Sequence, residues 1–362
     1  MRIRLVKNEN TVSTVFLQTR LWADFKSQTG WTYSRYDVWL LDSEDSESSS
    51  GPFALTVMER GLGLGQSLAY IPHGPALMVE PQDRGALLLA LAESLSDKVA
   101  ASCMFIRFDP LWYVAEDPQA SLVGEPVAQA VREIFRRPLK KGSDVQPPDS
   151  VVLDLSLSDD ELLAGMKPKW RYNIKLAGKK GVSVASEGTA ALDEFYALYE
   201  ATAARDKIAI HPRSYYERLL GQTSRNSAEP SADIRLWIAR HGGKALAAII
   251  TVYYGDEAIY LYGASGDEGR NLMPAYALQW AAIRAAREAG CVCYDFYGIP
   301  PVEDPSHAMA GLYRFKTGFG GQIRHYPGAW DYARKPVVYA AFRMAEQARL
   351  FWHKTVMKRL RR

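Results

Sequence analysis

The chain has 362 residues, 48% of them hydrophobic and 23% charged, a globular composition long enough for two domains. Three cysteines, Cys103, Cys291 and Cys293, are too few and odd in number for a disulfide framework, which points to a reducing cytoplasm. No run of 18 apolar residues occurs, which excludes a membrane-spanning helix, and the opening "MRIRLVKNENTVSTVF" lacks the apolar core of a secretion signal.

The net charge of +3 conceals an asymmetry: the last 20 residues, from Arg343, carry seven Lys or Arg and one Glu. Positive charge is local here, and local charge implies a local partner.

In chain order, "FLQTRLWADFKSQTGW" reads as a short amphipathic helix, and "YSRYDVWLLD" and "PFALTVMERG" as strands around a polar loop, "SEDSESSSG". "RGLGLG", Arg60 to Gly65, matches the pattern with which acetyltransferases hold a coenzyme A pyrophosphate. That use needs a helix to follow. The strand-like "QSLAYIPHGP" follows instead, so the segment reads as a glycine-rich turn. "QDRGALLLALAESLSDKVA" has helical apolar spacing. "CMFIRFDP" is a buried strand ending at Asp109, either a crevice carboxylate able to take a proton or a turn-forming residue before proline.

The order then recurs after two prolines in "VQPPDSVVLDLS". "ALDEFYALYEATAARD" is a helix, and "IRLWIARHGGKALAAIITVYYGDEAIYLYGAS" gives three strands with turns at "HGGK" and "YGDE". "PAYALQWAAIRAAREAG" is a helix with Pro274 in its first turn and Gly290 as its stop. "CVCYDFYGIPP" is a buried strand ending in Gly and Pro. The pattern suggests two copies of one mixed α/β fold.

Several segments carry chemistry. "KPKWRYNIKLAGKKGV" is a helix with Pro168 in its first turn and an apolar stripe of Trp170, Ile174 and Ala177. Lys167, Lys169, Arg171, Lys175, Lys179 and Lys180 surround the stripe, with no acid within the stretch to neutralise them. The helix is either a solvated face or a contact for a polyphosphate. "GLYRFKTGFGG" offers Lys316, either neutralising an oxyanion or exposed on a strand. The "CVC" pair has no second cluster with which to complete a metal site, so no metal is expected. The basic end "YAAFRMAEQARLFWHKTVMKRLRR" is a helix, with Val338, Phe342, Ala345, Trp352, Val356 and Leu360 on one face. It either docks on the core or meets anionic lipid.

Taken together, these segments resemble the FemABX family, the aminoacyl-tRNA-dependent transferases that build peptidoglycan side branches. The pieces fall in family order: "FLQTRLWADFKSQTGW", "YIPHGP", "FIRFDP", "VQPPDSVVLDLS", "KPKWRYNIKLAGKKGV", "RDKIAIHPRSYYERL", "YLYGAS", "YDFYGIPP" and "LYRFKTGFGG". The likeness is to compact members, since no long coiled-coil arm interrupts residues 183–325.

The resemblance implies two tandem GNAT-like (acyltransferase-type) domains with mixed sheets flanked by helices. Residues 1–155 plus 326–362 would form the first, and 156–325 an inserted second. It implies no cofactor, an aminoacyl-tRNA donor, and a muramyl-peptide acceptor, UDP-linked or lipid-linked. The protein would be cytoplasmic, with peripheral contact at the inner membrane surface and no DNA partner.

By the same likeness, Lys316 and Phe315 hold the tRNA end, and Asp109 assists proton removal. Lys26 contacts the precursor pyrophosphate. Arg213, Tyr215, Tyr216, Tyr260 and Tyr262 are matched to the acceptor, although "IHPRSYYERL" fits in more than one register. Lys167, Lys169, Arg171 and Lys175 are the phosphate contacts. Met104 stands where some relatives have a precursor-binding tyrosine. Two other readings stand beside this one: a non-catalytic RNA- or membrane-binding protein of the same fold, and a transferase acylating a protein or lipid.

Overall fold

A computed structural model describes residues 1–41, 52–116, 125–132, 137–222 and 229–351. The polar loop 43–51 and the basic residues 352–362, with Trp352, Val356 and Leu360, lie outside the described residues.

The first half runs β1 (Arg2–Lys7), α1 (Arg20–Ser27), β2 (Thr32–Leu41), β3 (Phe53–Gly63), β4 (Gln66–Ile71), α2 (Arg84–Ser96) and β5 (Cys103–Phe108). Strands β1 to β4 form an antiparallel meander, and α2 carries the chain over to β5, which lies parallel to β4. All six residues of β5 are buried, as expected for a parallel strand covered on both faces. Leu87, Leu88, Leu91 and Leu95 of α2 fill the core over this sheet.

Short elements follow: β6 (Val114–Ala115), α3 (Glu125–Arg132) and β7 (Lys140–Lys141). Then come β8 (Asp149–Asp154), α4 (Asp159–Gly165), α5 (Pro168–Lys179), β9 (Ser183–Glu187), α6 (Leu192–Asp206) and α7 (Arg213–Leu220). Strands β10 (Asp233–His241), β11 (Lys244–Tyr254) and β12 (Glu257–Ser265) form a second antiparallel meander. Helix α8 (Pro274–Glu288) crosses to β13 (Cys293–Asp295), parallel to β12. The chain closes with α9 (Ala310–Thr317), β14 (Gln322–His325), β15 (Trp330–Ala333) and α10 (Pro336–Phe351).

The strand orders are β1-β2-β3-β4-β5-β15-β7 and β6-β14-β8-β13-β12-β11-β10-β9. Meander, crossover helix and parallel strand thus occur twice, giving two mixed sheets flanked by helices. Strand β8 pairs with β13 and β14, so the stretch after Pro147 and Pro148 joins the second sheet from Asp149 onward. Strand β15 returns to the first sheet beside β5. That return is locked by a buried pair, Arg107 Nε and Nη2 to the two Asp331 oxygens at 2.7 and 2.8 Å, with the Tyr339 hydroxyl donating to Asp331 at 2.8 Å.

The halves share a core. Phe16, Leu17, Leu21, Trp22 and Phe25, in and just before α1, pack with Leu192, Phe195, Tyr199, Tyr215 and Tyr216 of the second half. Arg35 of β2 pairs across the same seam with buried Glu229 at 2.5 Å.

Two segments depart from the sequence reading. "GLYRFKTGFGG" was open between a catalytic lysine and a strand with an exposed lysine; the structure makes it helix and turn, with Lys316 only 6% exposed. "CVCYDFYGIPP" is a strand for only three residues. Asp295 then turns inward, accepting the Tyr297 amide at 2.6 Å, and the chain leaves the sheet through Tyr297 and Gly298 at positive φ. "RGLGLG" forms the β3–β4 hairpin, with a strand rather than a helix after it.

Candidate active site

Hydrogen bonds join the segments that follow the two parallel strands β5 and β13. Asp109 follows β5 and is 4% exposed. Its Oδ2 accepts the Tyr70 hydroxyl at 2.9 Å and the Gln146 amide at 3.2 Å. Gln146 Nε2 donates to the Tyr70 hydroxyl at 3.1 Å, and the Tyr297 hydroxyl donates to Gln146 Oε1. Burial pushes the Asp109 carboxyl up to about 7, although the Tyr70 hydroxyl and the Gln146 amide pull the other way.

Lys316, on α9, lies on the other side of Tyr297. Its Nζ donates to the carbonyls of Tyr297 and Gly298, the latter at 2.9 Å, and sits 5.1 Å from the Tyr260 ring centroid. Burial lowers its ammonium to about 7, with Asp295 opposing the shift. Tyr297 therefore touches both groups: its hydroxyl reaches the Asp109 network, and its carbonyl holds Lys316. It does so at φ +54, a region in which a bulky side chain is an outlier and which tends to mark functional positions. An acid raised and an amine lowered toward the same neutral value, linked through Tyr297, make a constellation suited to proton transfer and oxyanion stabilisation.

The basic helix is fixed to this site. Trp170 Nε1 donates to the Phe315 carbonyl at 2.9 Å, and the Lys167 amide to the Gly318 carbonyl at 2.9 Å. A Cβ on Gly318 would lie 2.2 Å from the Trp170 ring, so glycine is what lets α5 dock on α9. Half-buried Phe315 stacks edgewise on Tyr276 and Phe319. Lys167, Lys169, Lys175, Lys179 and Lys180 are exposed and form no ion pair with another described residue. Arg171 differs from them: its Nη1 donates to the Leu163 and Ala164 carbonyls, each at 3.2 Å, and to that of Met166. It caps the end of α4 through this one nitrogen.

Lys26 lies in an aromatic box, with Nζ 5.6 Å from the Trp22 ring, 5.8 Å from Phe25 and 5.3 Å from Tyr215. Burial, with a smaller push from the Arg60 charge, lowers it to about 8. The His211 ring stacks on Tyr215 at 3.9 Å, and its basicity falls through burial and the Lys26 charge. Arg60 lies over Trp31 at 5.6 Å, and Trp31 neighbours Tyr70 at 6.1 Å. A line of side chains thus runs from Lys26 and Arg60 through Trp31 and Tyr70 to Asp109. The Arg60 charge reaches Lys26, and two such cations suit a diphosphate.

Tyr215 and Tyr262 share a hydroxyl contact at 3.2 Å beside Lys26, while Tyr260, two residues earlier on β12, faces Lys316. A Cβ on Gly263 would lie 1.7 Å from the Tyr260 hydroxyl, so that tyrosine needs glycine beside it. Tyr216 is fully buried and receives the His211 amide at 3.2 Å, a packing role rather than a ligand contact. Arg213 is paired at the surface with Asp193 at 2.5 Å and Glu217 at 3.1 Å. From this segment, Tyr215 and His211 are the side chains that neighbour Lys26. Met104 packs with Phe105 and Tyr339 beneath α10, in a small core of its own.

Tyr70, Gln146, Tyr297, Asp295, Arg60 and His211 were not singled out in the sequence as site residues. A separate cavity of about 590 Å³ lies beside β8 and β14 and is lined by Asp154, Glu161, Cys293 and Arg324, but it includes neither Asp109 nor Lys316. Among the described residues no group of three His, Cys, Asp or Glu side chains could hold a metal ion, and no helix is long and apolar enough to cross a membrane.

Comparison with known proteins adds three findings. The model of the FemAB family matches residues 6–236 and 233–347. Lipid II:glycine glycyltransferase of Staphylococcus aureus strain USA300 is 24% identical over 384 residues, covering 89% of each chain, and that of strain NCTC 8325 / PS 47 matches equally. The crystal structure of FemX superposes with a TM-score of 0.71 at 19% identity, covering 94% of this chain and 99% of that one, a likeness of fold.

Proposed function

The chain belongs to the FemAB family and is a transferase, and from that premise we propose that it moves an aminoacyl group from aminoacyl-tRNA to the side-chain amine of a peptidoglycan stem peptide. Membership of a family of transferases sets aside the non-catalytic reading. The curated relatives are named for glycine transfer involving lipid II, which supports a muramyl-peptide acceptor with a diphosphate.

The observation that carries the proposal is Tyr297, whose two ends hold the Asp109 network and Lys316 at once. The acceptor amine enters from the Asp109 side, with its diphosphate on Lys26 and Arg60. The aminoacyl ester enters from the Lys316 side, its tRNA backbone lying along Lys167, Lys169 and Lys175. The amine attacks the ester carbonyl, and Asp109 takes the proton that the nitrogen gives up. Lys316, its charge favoured by the approach of a polyanion, stabilises the tetrahedral oxyanion and protonates the departing ribose oxygen. A C–N bond forms, a C–O bond breaks, and no covalent enzyme intermediate is needed. Because the ester is already activated, holding the two reactants together supplies much of the rate.

The test is to incubate the purified protein with total charged tRNA and a muramyl pentapeptide, and to weigh the peptide. A gain of one amino-acid residue supports the reading; an unchanged mass with both soluble and lipid-linked acceptors removes it.

A further inference from the structure

The β3–β4 hairpin next to Arg60 is built in an unusual way. Leu64 sits at its turn with φ +51, between Gly63 at +88 and Gly65 at +66. Asn or Gly is the ordinary residue at such a position, and a bulky side chain there is strained. Leu64 is nevertheless 101% exposed, and Leu62 beside it is 38% exposed. A Cβ at Gly61, Gly63 or Gly65 would meet nothing within 4 Å, so the tip stands clear of the rest of the molecule. A strained, fully solvated leucine on a free tip adds nothing to the folded core. It points to a surface met outside the chain.

A second apolar group lies on the same edge. Lys335 Nζ donates to Gln66 Oε1 at 3.2 Å, which ties the start of α10 to the hairpin's first returning residue. Val337, in the first turn of α10, is 84% exposed. Arg60 and Lys335 flank these side chains with positive charge. Three small apolar groups are far too few for a stable contact between two copies, which needs about 800 Å² on each partner. They do match the boundary layer of a bilayer, where leucines enter the acyl region and flanking cations meet anionic head groups.

We propose that the hairpin tip, with the first turn of α10, is a membrane-insertion edge that seats the protein on an anionic lipid surface. Leu62 and Leu64 lie roughly 7 and 13 Å along the strand from Arg60, at about 3.3 Å per residue. A diphosphate held on Lys26 and Arg60 would therefore sit at head-group depth, with its lipid chain leaving toward the tip. That orientation rests on the proposed acceptor; the membrane contact itself does not.

The test compares the full chain with Leu62→Ser/Leu64→Ser in sedimentation with vesicles of equal parts phosphatidylglycerol and phosphatidylcholine. High salt is used to screen the basic carboxyl end. The double variant is expected to bind vesicles about tenfold or more weakly at an unchanged melting temperature. Transfer to a water-soluble muramyl peptide is expected to be unchanged, while transfer to a vesicle-borne acceptor falls. Equal vesicle binding by parent and variant, no vesicle binding by the parent, or a changed oligomeric state in the variant each overturns the proposal. Leucine-dependent vesicle binding without transfer to either acceptor would leave the proposal standing and remove the acceptor reading instead.

Discussion

Replacing Lys316 by Met keeps most of the side-chain volume and removes the cation. Two consequences can be worked from its surroundings. The carbonyls of Tyr297 and Gly298 lose their donor, which costs about 1 kcal/mol each. Against that, the fold no longer carries a buried ammonium. A fall from 10.5 to about 7 corresponds to roughly 5 kcal/mol of destabilisation when the amine is charged. The sign is fixed by proton binding. Between about pH 7 and 10.5 the unfolded chain binds the proton that the folded chain has released, so the parent gains stability as pH rises through this window. The variant lacks that gain. It is expected to be as stable as the parent, or more so, at pH 7, with the difference moving in the parent's favour toward pH 10. Catalysis responds oppositely: loss of one charged donor to a developing oxyanion costs about 100- to 1,000-fold in turnover. Single-turnover transfer from purified charged tRNA, alongside melting curves at several pH values, reads both. A stable variant that transfers within tenfold of the parent would refute the role given to Lys316.

The pH profile of kcat/KM is expected to be a narrow bell near neutrality, since Asp109 must lose its proton and Lys316 keep one, both near 7 in the free enzyme. Asp109→Asn is expected to remove the acidic limb and lower transfer about 100-fold or more; an unchanged limb assigns it to another group. Changing Lys167, Lys169 and Lys175 together to Gln is expected to flatten the salt dependence of tRNA binding by about 2 to 3 in log–log slope, whereas Arg171→Gln leaves the slope alone and lowers the melting temperature by loosening α4. Titrations of binding against salt separate the two. Tyr297→Phe keeps the ring and the carbonyl on Lys316 but frees Gln146, and about a tenfold loss of kcat at unchanged tRNA affinity is expected; a loss confined to tRNA affinity would contradict the shared-residue geometry.

The fold was legible where periodicity and turn residues agree. Helix α8 shows its proline start and glycine stop, and the strands of residues 233–265 break at "HGGK" and "YGDE", where the structure turns. The α9 segment was harder, because its glycines and aromatics suit either helix or strand. The decisive contact is Trp170 against Gly318, residues that stand far apart in the chain. The same limit hid Tyr70, Gln146 and Tyr297: each is an ordinary residue whose meaning comes from a hydrogen bond across more than 70 positions. The partner of Arg213 was visible in the sequence, because Glu217 stands four residues on in "RSYYE" at helical spacing. The partners of Arg171 were not, because they are backbone carbonyls of the preceding helix.

The repeat explains why the site lies where it does. In each half a parallel strand, β5 or β13, ends beside a strand of its own meander, and the chain leaves through a turn carrying a buried carboxylate, Asp109 or Asp295. The two units pack through the α1 core, and their carboxylates have taken different partners. Asp109 accepts a tyrosine and an amide, and burial outweighs them and pushes it up, while Asp295 is bonded to Ser150 and the Tyr297 amide and lies near Lys316. In the proposed reaction the first is the proton acceptor and the second a support for the cation, so that each half serves one of two anionic substrates.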